Sequence, residues 1–246
     1  MNWKHFLGEC EELKTWFAGQ GLKADRGLLA ALTLILRGQT TPGAIIACAA
    51  AASPLAAAGL TLPARADIGE IPDCIHAILA RWLCTLPRDI WLLGELYEKM
   101  ALGRRARGLF YTAPQIVDFI LARTLRTADI TADPYIRILD PACGCGNFLL
   151  RAYDLLNAKL TAARDELVAR HPAGDWSDDG IHRHILTHNL WGADIDATAA
   201  EVAAAGLLLK RPAANLGIAP RIVVCDSLRP GPAGWGDRAF WFARYD

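Results

Sequence analysis

The chain has no excess of charge of either sign. Its 246 residues include 26 lysines and arginines and 26 aspartates and glutamates, so the formal net charge is zero. Proteins that grip DNA through its phosphates favour a basic surface, so this balance argues against a chain whose main task is DNA contact. A local basic patch stays open, with solvated helix charges as the preferred interpretation of five arginines: Arg104, Arg105, Arg107, Arg123 and Arg126.

Signals for export and membrane insertion are also missing. The N-terminus has no apolar core of the kind found in signal peptides. The stretch 42–62 is rich in alanine and broken by Pro54, which favours a packed helical pair over a membrane span. These absences predict a cytoplasmic protein with no membrane partner.

The seven cysteines form no paired framework, which favours free thiols in a reducing compartment. The spacing of Cys143 and Cys145 is shorter than the C-x-x-C of a zinc knuckle. Three histidines (His182, His184 and His188) include an i, i+4 pair, but no carboxylate or cysteine stands at a helpful spacing. We therefore expect no metal site and interpret these histidines as exposed polar residues of a helix.

The most informative segment runs from residue 136 to residue 149. A short apolar run predicts a buried strand that ends at Asp140, and a turn with Gly144 and Gly146 leads into a helix. Glycines at such a turn let the backbone approach a ligand closely, and open α/β sheets bind ligands at this edge. A plain turn without a ligand is the alternative.

The position of the acid narrows the ligand class. Asp140 precedes the glycines, whereas a phosphate-binding loop places a lysine after them. The G-x-G-x-x-G spacing is also missing, because the residue three beyond Gly146 is Leu149. An acid at this turn suits an ammonium group better than a pyrophosphate, which disfavours both NAD and ATP.

The segment D-P-A-C-G-C-G-N-F-L, Asp140 to Leu149, resembles the first motif of the adenine-N6 DNA methyltransferases of restriction-modification systems. Three further segments resemble motifs of that family in the same order along roughly half of the chain: G-L-F-Y-T-A-P at 108–114, N-L-W-G-A-D-I-D at 189–196 and C-D-S-L at 225–228. Within this family, the chain resembles type I modification subunits and type II N6-adenine methylases. The resemblance implies an S-adenosylmethionine-dependent methyltransferase fold with S-adenosyl-L-methionine as the cofactor.

The resemblance also implies roles for single residues. Tyr111 and Thr112 would touch the methionine moiety, and Asp194 would accept the ribose hydroxyls. Ile195 would lie on the adenine ring, and Asp226 would accept a hydrogen bond from the adenine amino group. The remaining cofactor-binding residues implied are Asp140, Ala142, Gly144, Gly146 and Leu228.

Local patterns place these motifs on secondary structure. The spacing Thr112-x-x-Gln115 fits a capping box before a helix whose buried face would be formed by Ile116, Val117, Phe119, Ile120 and Leu121. Two further strands are predicted at 190–194 and 221–225, with Asp196 as the cap of a helix over 197–209. The expected fold class is α/β. A helical region, 1–100, would precede an incomplete Rossmann-like methyltransferase domain, 101–246.

The chain lacks the tetrapeptide [ND]-P-P-[YFW], which in this family holds the flipped adenine. No catalytic residue can therefore be named, and we expect a cofactor-binding part whose first strand keeps an exposed edge. DNA would be reached through missing C-terminal or partner regions, such as a specificity subunit or the complementary methyltransferase half. The alternatives are a non-catalytic remnant or assembly module, a small-molecule methyltransferase and a protein-glutamine methyltransferase.

Overall fold

The computed structural model describes residues 1–39, 41–49, 54–58, 70–87, 89–100, 112–212 and 218–228. The chain divides into two compact units, Met1–Leu102 with Leu208–Gly217 and Gly103–Leu207 with Ile218–Asp246. No helix within the described residues combines the length and the apolar character needed to cross a membrane.

The first unit is helical. Its helices are α1 (Trp3–Gly19), α2 (Ala24–Arg37), α3 (Pro42–Ala49), α4 (Pro54–Ala58), α5 (Asp73–Thr85) and α6 (Trp91–Met100). Every residue of α2 from Gly27 to Ile35 is buried, because α1, α3, α4 and α6 all contact it. A helix that is apolar on all sides is typical of the centre of a bundle. The predicted helical pair in the alanine-rich stretch corresponds to α3 and α4.

A buried carboxylate joins α1 to α5 in this unit. Glu9 accepts a hydrogen bond of 2.6 Å from the indole Nε1 of Trp82 and one of 2.5 Å from Nε of Arg81. The imidazole Nε2 of His5 lies 3.1 Å from the same carboxylate. Three polar partners thus offset the cost of removing a carboxylate from water.

The second unit combines helices with a parallel sheet. Its elements in chain order are α7 (Pro114–Arg123), β1 (Ile138–Asp140), α8 (Asn147–Ala162), α9 (Arg164–Arg170), α10 (Asp178–His184), β2 (Leu190–Asp194), α11 (Ala197–Leu209), whose last two residues lie in the first unit, and β3 (Arg221–Val224). The strand order is β1-β2-β3, with Asp140 opposite Gly192 and Asp194 opposite Val224. The chain is therefore α/β.

The central strand is the only buried one of the three described strands. All five residues of β2 are buried, whereas β1 is half-buried and only three residues long. The prediction of a buried first strand was therefore wrong. The reason is topological: β1 pairs with β2 on one side and, among the described strands, has no partner on the other.

Gly192 in β2 brings the sheet close to α8. A Cβ at this position would lie 2.8 Å from Cδ1 of Leu149 and 3.2 Å from Sγ of Cys143. Residue 192 must therefore lack a side chain for the turn after β1 to lie against the sheet. Beyond β2, the carboxylate of Asp196 accepts hydrogen bonds from the N–H groups of Thr198 and Ala199, which confirms the predicted cap of α11.

Helix α7 differs from its prediction in two ways. Its N-cap is Ala113, and no side chain caps it, so the predicted capping box at Thr112 was wrong. Pro114 does occupy the first helical turn, where its missing N–H costs nothing. Only Val117 and Leu121, one turn apart, are buried; the other three apolar side chains predicted to be buried are exposed: Ile116, Phe119 and Ile120.

The sequence led us to expect exposed histidines, but the two histidines of α10 are buried. His182 is buried, and its Nδ1 lies 2.6 Å from the hydroxyl of Tyr153. His184 is also buried, and its Nε2 lies 2.9 Å from the carbonyl oxygen of Pro134. Each of these contacts to the protein occupies one imidazole nitrogen. His188 alone of the three is exposed.

Candidate functional site

The turn after β1 is held against β2 by its own backbone. The carboxylate of Asp140 accepts a hydrogen bond of 3.1 Å from the N–H of Ala142, which bends the chain at the end of the strand. The N–H of Cys143 then donates to the carbonyl of Ala193 in β2 at 2.9 Å, and that of Gly146 donates to the carbonyl of Cys143 at 2.8 Å. The turn is therefore a defined structure before any ligand is present.

Both glycines of the turn have a left-handed backbone, with φ of +51° at Gly144 and +87° at Gly146. A Cβ at Gly146 would lie 2.9 Å from Cβ of Ala203, so this residue is required for the contact between the turn and α11. Among the residues that the structure describes, a Cβ at Gly144 would meet no atom within 4 Å. The space beside Gly144 is therefore open, as a ligand site requires.

Asp194, at the carboxyl end of β2, reaches across to this turn. Its side chain accepts a hydrogen bond of 2.7 Å from the N–H of Gly144 and one of 2.8 Å from the N–H of Asp196. The residue is only 7% exposed. Each carboxylate oxygen has a second lone pair, so the same group can accept ligand hydroxyls while it holds the turn.

Asp140 and Asp194 make the site acidic. Burial raises the pKa of Asp140 above its usual value, the N–H of Ala142 opposes this shift, and the charge of Asp194 adds to it. Burial also raises the pKa of the Cys143 thiol, and the charges of Asp140 and Asp194 raise it further, so this thiol stays protonated. Two carboxylates at adjacent strand ends favour a cationic ligand over a phosphate.

Apolar side chains extend the site along the sheet edge. Ile195 follows β2 and is 69% exposed, and Leu228, which lies beyond the end of β3, is 78% exposed. Between β3 and Leu228 stands Asp226, whose carboxylate accepts a hydrogen bond of 3.0 Å from the N–H of Leu228. Exposed apolar groups beside a hydrogen-bond acceptor suit a flat heterocycle that carries an amino group.

The segment before α7 is tied to the turn by a residue that the sequence did not single out. The side-chain amide of Asn147, the first residue of α8, donates to the backbone carbonyl of Thr112 at 2.7 Å. Because residues 112 and 147 are far apart in sequence, no local pattern could have indicated this contact. Tyr111, also predicted for the site, lies outside the described residues, as do three of the predicted arginines: Arg104, Arg105 and Arg107.

An apolar cleft of about 160 Å³ lies beside β1. Residues of α7, β1 and α8 line it, among them Leu121, Ile138 and Phe148, and Asp140 stands at its end. Within the described part of the chain, β1 has no ladder partner besides β2. This is the strand edge at which the motif resemblance predicts a further strand.

The turn, β1, β2 and all of β3 except its last residue fall within one stretch that resembles a known family. Residues 131–223 match the family model described as the DNA-methyltransferase domain of MmeI. No curated protein matches the chain. The family match includes Asp140, both glycines of the turn and Asp194, and it ends just before Asp226. The matched stretch is similar to a DNA-methyltransferase domain, and this supports a methyltransferase of a restriction-modification system.

Proposed function

We propose that this chain is the cofactor-binding half of a DNA methyltransferase that transfers the methyl group of S-adenosylmethionine to adenine N6. One observation carries the proposal: Asp140 and Asp194, at the ends of adjacent parallel strands, flank the open left-handed turn at Gly144. The match to the MmeI DNA-methyltransferase domain supports the reaction class. The motif resemblance supports the choice of adenine N6.

The residues present fit the chemical groups of the proposed cofactor in the order of the strands. Asp140, the last residue of β1, would face the ammonium group, because its carboxylate bends the chain into the turn that leads to Gly144. Asp194, the last residue of β2, would accept hydrogen bonds from the ribose hydroxyls while it continues to hold the turn. Ile195 and Leu228 would cover the faces of the adenine ring, and Asp226 would accept its amino group.

The bound cofactor would supply an electrophilic methyl group on a sulfonium. This chain would bind and orient it, and the acidic surroundings from Asp140 and Asp194 would favour its positive charge. No residue of the 246 can be assigned to the target adenine, because the tetrapeptide that presents it is absent from the sequence. DNA and the complementary methyltransferase half, or a specificity subunit, are the partners that we propose.

Calorimetric titration with S-adenosylhomocysteine tests cofactor binding. The informative variant is Asp140→Asn, which keeps an oxygen for the N–H of Ala142 but removes the charge. Its matched control is Asp133→Asn, because Asp133 also precedes a proline and accepts the N–H two residues on, at 3.0 Å from Tyr135. Asp133 precedes β1, whereas Asp140 is the last residue of that strand.

We expect the unsubstituted chain and Asp133→Asn to bind with similar affinity and Asp140→Asn to bind at least about tenfold more weakly, since a charged hydrogen bond contributes roughly 1.5–3 kcal/mol. Equal affinities in the two variants would remove the ammonium assignment. Absence of binding to the unsubstituted chain would remove the proposed function.

A second function is favoured by the absence of the tetrapeptide: a non-catalytic assembly module with a disused pocket. This module would bind no S-adenosylhomocysteine, so the same titration separates the two functions. The retained acids at all three strand ends favour the cofactor-binding function.

A further inference from the structure

Two polar contacts connect α7 to α8 in register. Asn147, at the start of α8, donates to the carbonyl of Thr112 at 2.7 Å, just before α7 begins. Arg151 lies one turn further along α8, and its Nη1 is 2.8 and 3.0 Å from the two carboxylate oxygens of Asp118 in α7. The two contacts differ in their distance from the turn, because Asn147 follows Gly146 directly and Arg151 lies four residues on.

We propose that Asn147 is a positioning residue that holds Thr112 and Ala113, which directly precede α7, at the amino-acid end of the proposed cofactor site. The proposal rests on the proposed function and deepens it. Asn147 is covalently attached to the turn, so the bond to Thr112 transmits the position of the turn to the segment before α7. Nothing in the motif resemblance assigns this role to Asn147.

The start of α7 is contacted from outside the helix by Asn147. No side chain caps this helix, and its first residue, Pro114, has no N–H to donate. The N–H groups of Ile116 and Val117 both donate to the carbonyl of Ala113, which closes the first turn within the helix itself. The amide of Asn147 supplies a contact to the residue directly before this cap.

The position of the contact predicts selectivity for one end of the ligand. Thr112 precedes α7 and Asn147 begins α8, and residues of both helices line the cleft beside β1, an edge strand of the described sheet. Asp194 ends β2 and Asp226 follows β3, where the ribose and the base would lie. Loss of the Asn147 contact should therefore weaken binding of the amino-acid part and leave the nucleoside part unaffected.

The test compares two ligands on the full chain. S-adenosylhomocysteine carries the amino-acid part, and 5′-methylthioadenosine carries the same nucleoside thioether without it. In Asn147→Ala we expect affinity for S-adenosylhomocysteine to fall about tenfold, the size of one well-made hydrogen bond, and affinity for 5′-methylthioadenosine to change less than about twofold. The matched control is Arg151→Ala, which removes the other contact between the same helices. It should leave both affinities within about twofold.

A purely structural role would give a different pattern. If Asn147→Ala weakened both ligands equally, or if Arg151→Ala reproduced its selectivity, the positioning role would be refuted. Unchanged affinity for S-adenosylhomocysteine in Asn147→Ala would refute this inference alone. Absence of binding to the unsubstituted chain would refute the proposed function and this inference together.

Hydrogen exchange of the ligand-free chain gives a readout that needs no binding. In Asn147→Ala the amides of Ile116 and Val117 should exchange faster, because the first turn of α7 loses its anchor. Exchange rates equal to those of the unsubstituted chain would contradict the proposal.

Discussion

The carboxylate of Asp194 accepts a hydrogen bond of 2.7 Å from the backbone N–H of Gly144, fifty residues earlier in the chain. The acid that ends the second strand therefore holds the turn that follows the first. Because the residue is buried and also accepts the N–H of Asp196, it supports two backbone segments. The residue proposed to bind the ribose thus also builds the site.

The first prediction follows from this contact. Asp194→Ala should lower the free energy of unfolding by about 2–3 kcal/mol, because two backbone donors lose a buried charged acceptor. Urea denaturation followed by circular dichroism measures the change. Asp165→Ala, at an exposed position in α9, is the control and should cost less than about 0.5 kcal/mol. A loss in Asp194→Ala no larger than in this control would contradict the structural role.

The two glycines of the turn should respond differently to alanine. Gly146→Ala adds a clash with Ala203 to an unfavourable φ and should cost about 2–4 kcal/mol of stability. Gly144→Ala meets no neighbour, so its cost should be about 1 kcal/mol, from the left-handed φ alone. Denaturation curves of both variants test the order.

Ligand binding should follow a pattern distinct from stability in the same pair. The methyl group of Gly144→Ala projects into the open space, so this milder variant should lose most of its affinity for S-adenosylhomocysteine. Undiminished affinity in a folded Gly144→Ala protein would show that the ligand does not approach this glycine.

The raised pKa of Asp140, caused first by its burial and then by the charge of Asp194, makes ligand-free stability depend on pH. Its folded-state pKa lies above the unfolded value of 3.8, so the folded state binds more protons between these two values. This contribution is fully present below pH 3.8 and is lost as the pH rises through the folded pKa. Asp140→Asn stays neutral, and its Tm should exceed that of the unsubstituted chain at pH 7 by a few degrees.

Thermal melts from pH 4 to pH 8 test this difference. The gap between Asp140→Asn and the unsubstituted chain should narrow towards the acid end, where the carboxyl group is protonated. A gap that does not change with pH would indicate that burial of the charge is not its cause. The variant would gain stability as it loses cofactor affinity.

His184 should make the second unit sensitive to acid. Burial lowers the pKa of His184 below its ordinary 6.5; the hydrogen bond to Pro134 opposes the shift, and His188 and His171 add to it. A depressed histidine pKa means that the unfolded state binds more protons in this range, so stability is present above pH 6.5 and declines as the pH falls below it. His184→Gln can still donate to Pro134 and should remove most of this decline.

Denaturation midpoints measured at pH 7 and pH 5 check this prediction. His76→Gln is the control, because His76 lies in α5 of the first unit and is only half-buried. If the loss of stability between the two pH values is the same in His184→Gln as in the unsubstituted chain, His184 does not cause it.

The Glu9 cluster predicts an asymmetry in the first unit. Glu9→Ala should cost about 2–3 kcal/mol, because it leaves the buried indole N–H of Trp82 without its acceptor. Arg81→Ala should cost less than about 1 kcal/mol, because that side chain is nearly half exposed and water replaces much of the contact. If the two variants lost the same stability, the ion pair between Glu9 and Arg81, and not the indole hydrogen bond, would account for the stabilisation by this cluster.

The residues of the candidate site could be predicted from the sequence because they lie at or directly after the ends of strands. Asp140, Asp194 and Asp226 each end or follow an apolar run, and parallel strands bring their carboxyl ends to one edge of the sheet. The predicted strand at 190–194 and the predicted cap at Asp196 were confirmed. Both could be predicted because the pattern of apolar residues and the capping of a helix are local properties of the chain. The assignments of these residues to parts of the cofactor remain predictions.

Burial and long-range contacts were decided only in the tertiary structure. Nothing local distinguishes His184, buried against Pro134, from the exposed His188 four residues later. Likewise, the apolar residues of α7 are partly exposed because, among the described residues of its unit, packing buries Val117 and Leu121 but leaves Ile116, Phe119 and Ile120 in contact with solvent. The sequence determined where strands, turns and acids occur, since local geometry and residue type set those. Only the folded chain decided that Asp194 holds Gly144 and that Asn147 reaches Thr112, because such pairings depend on which distant segments pack together.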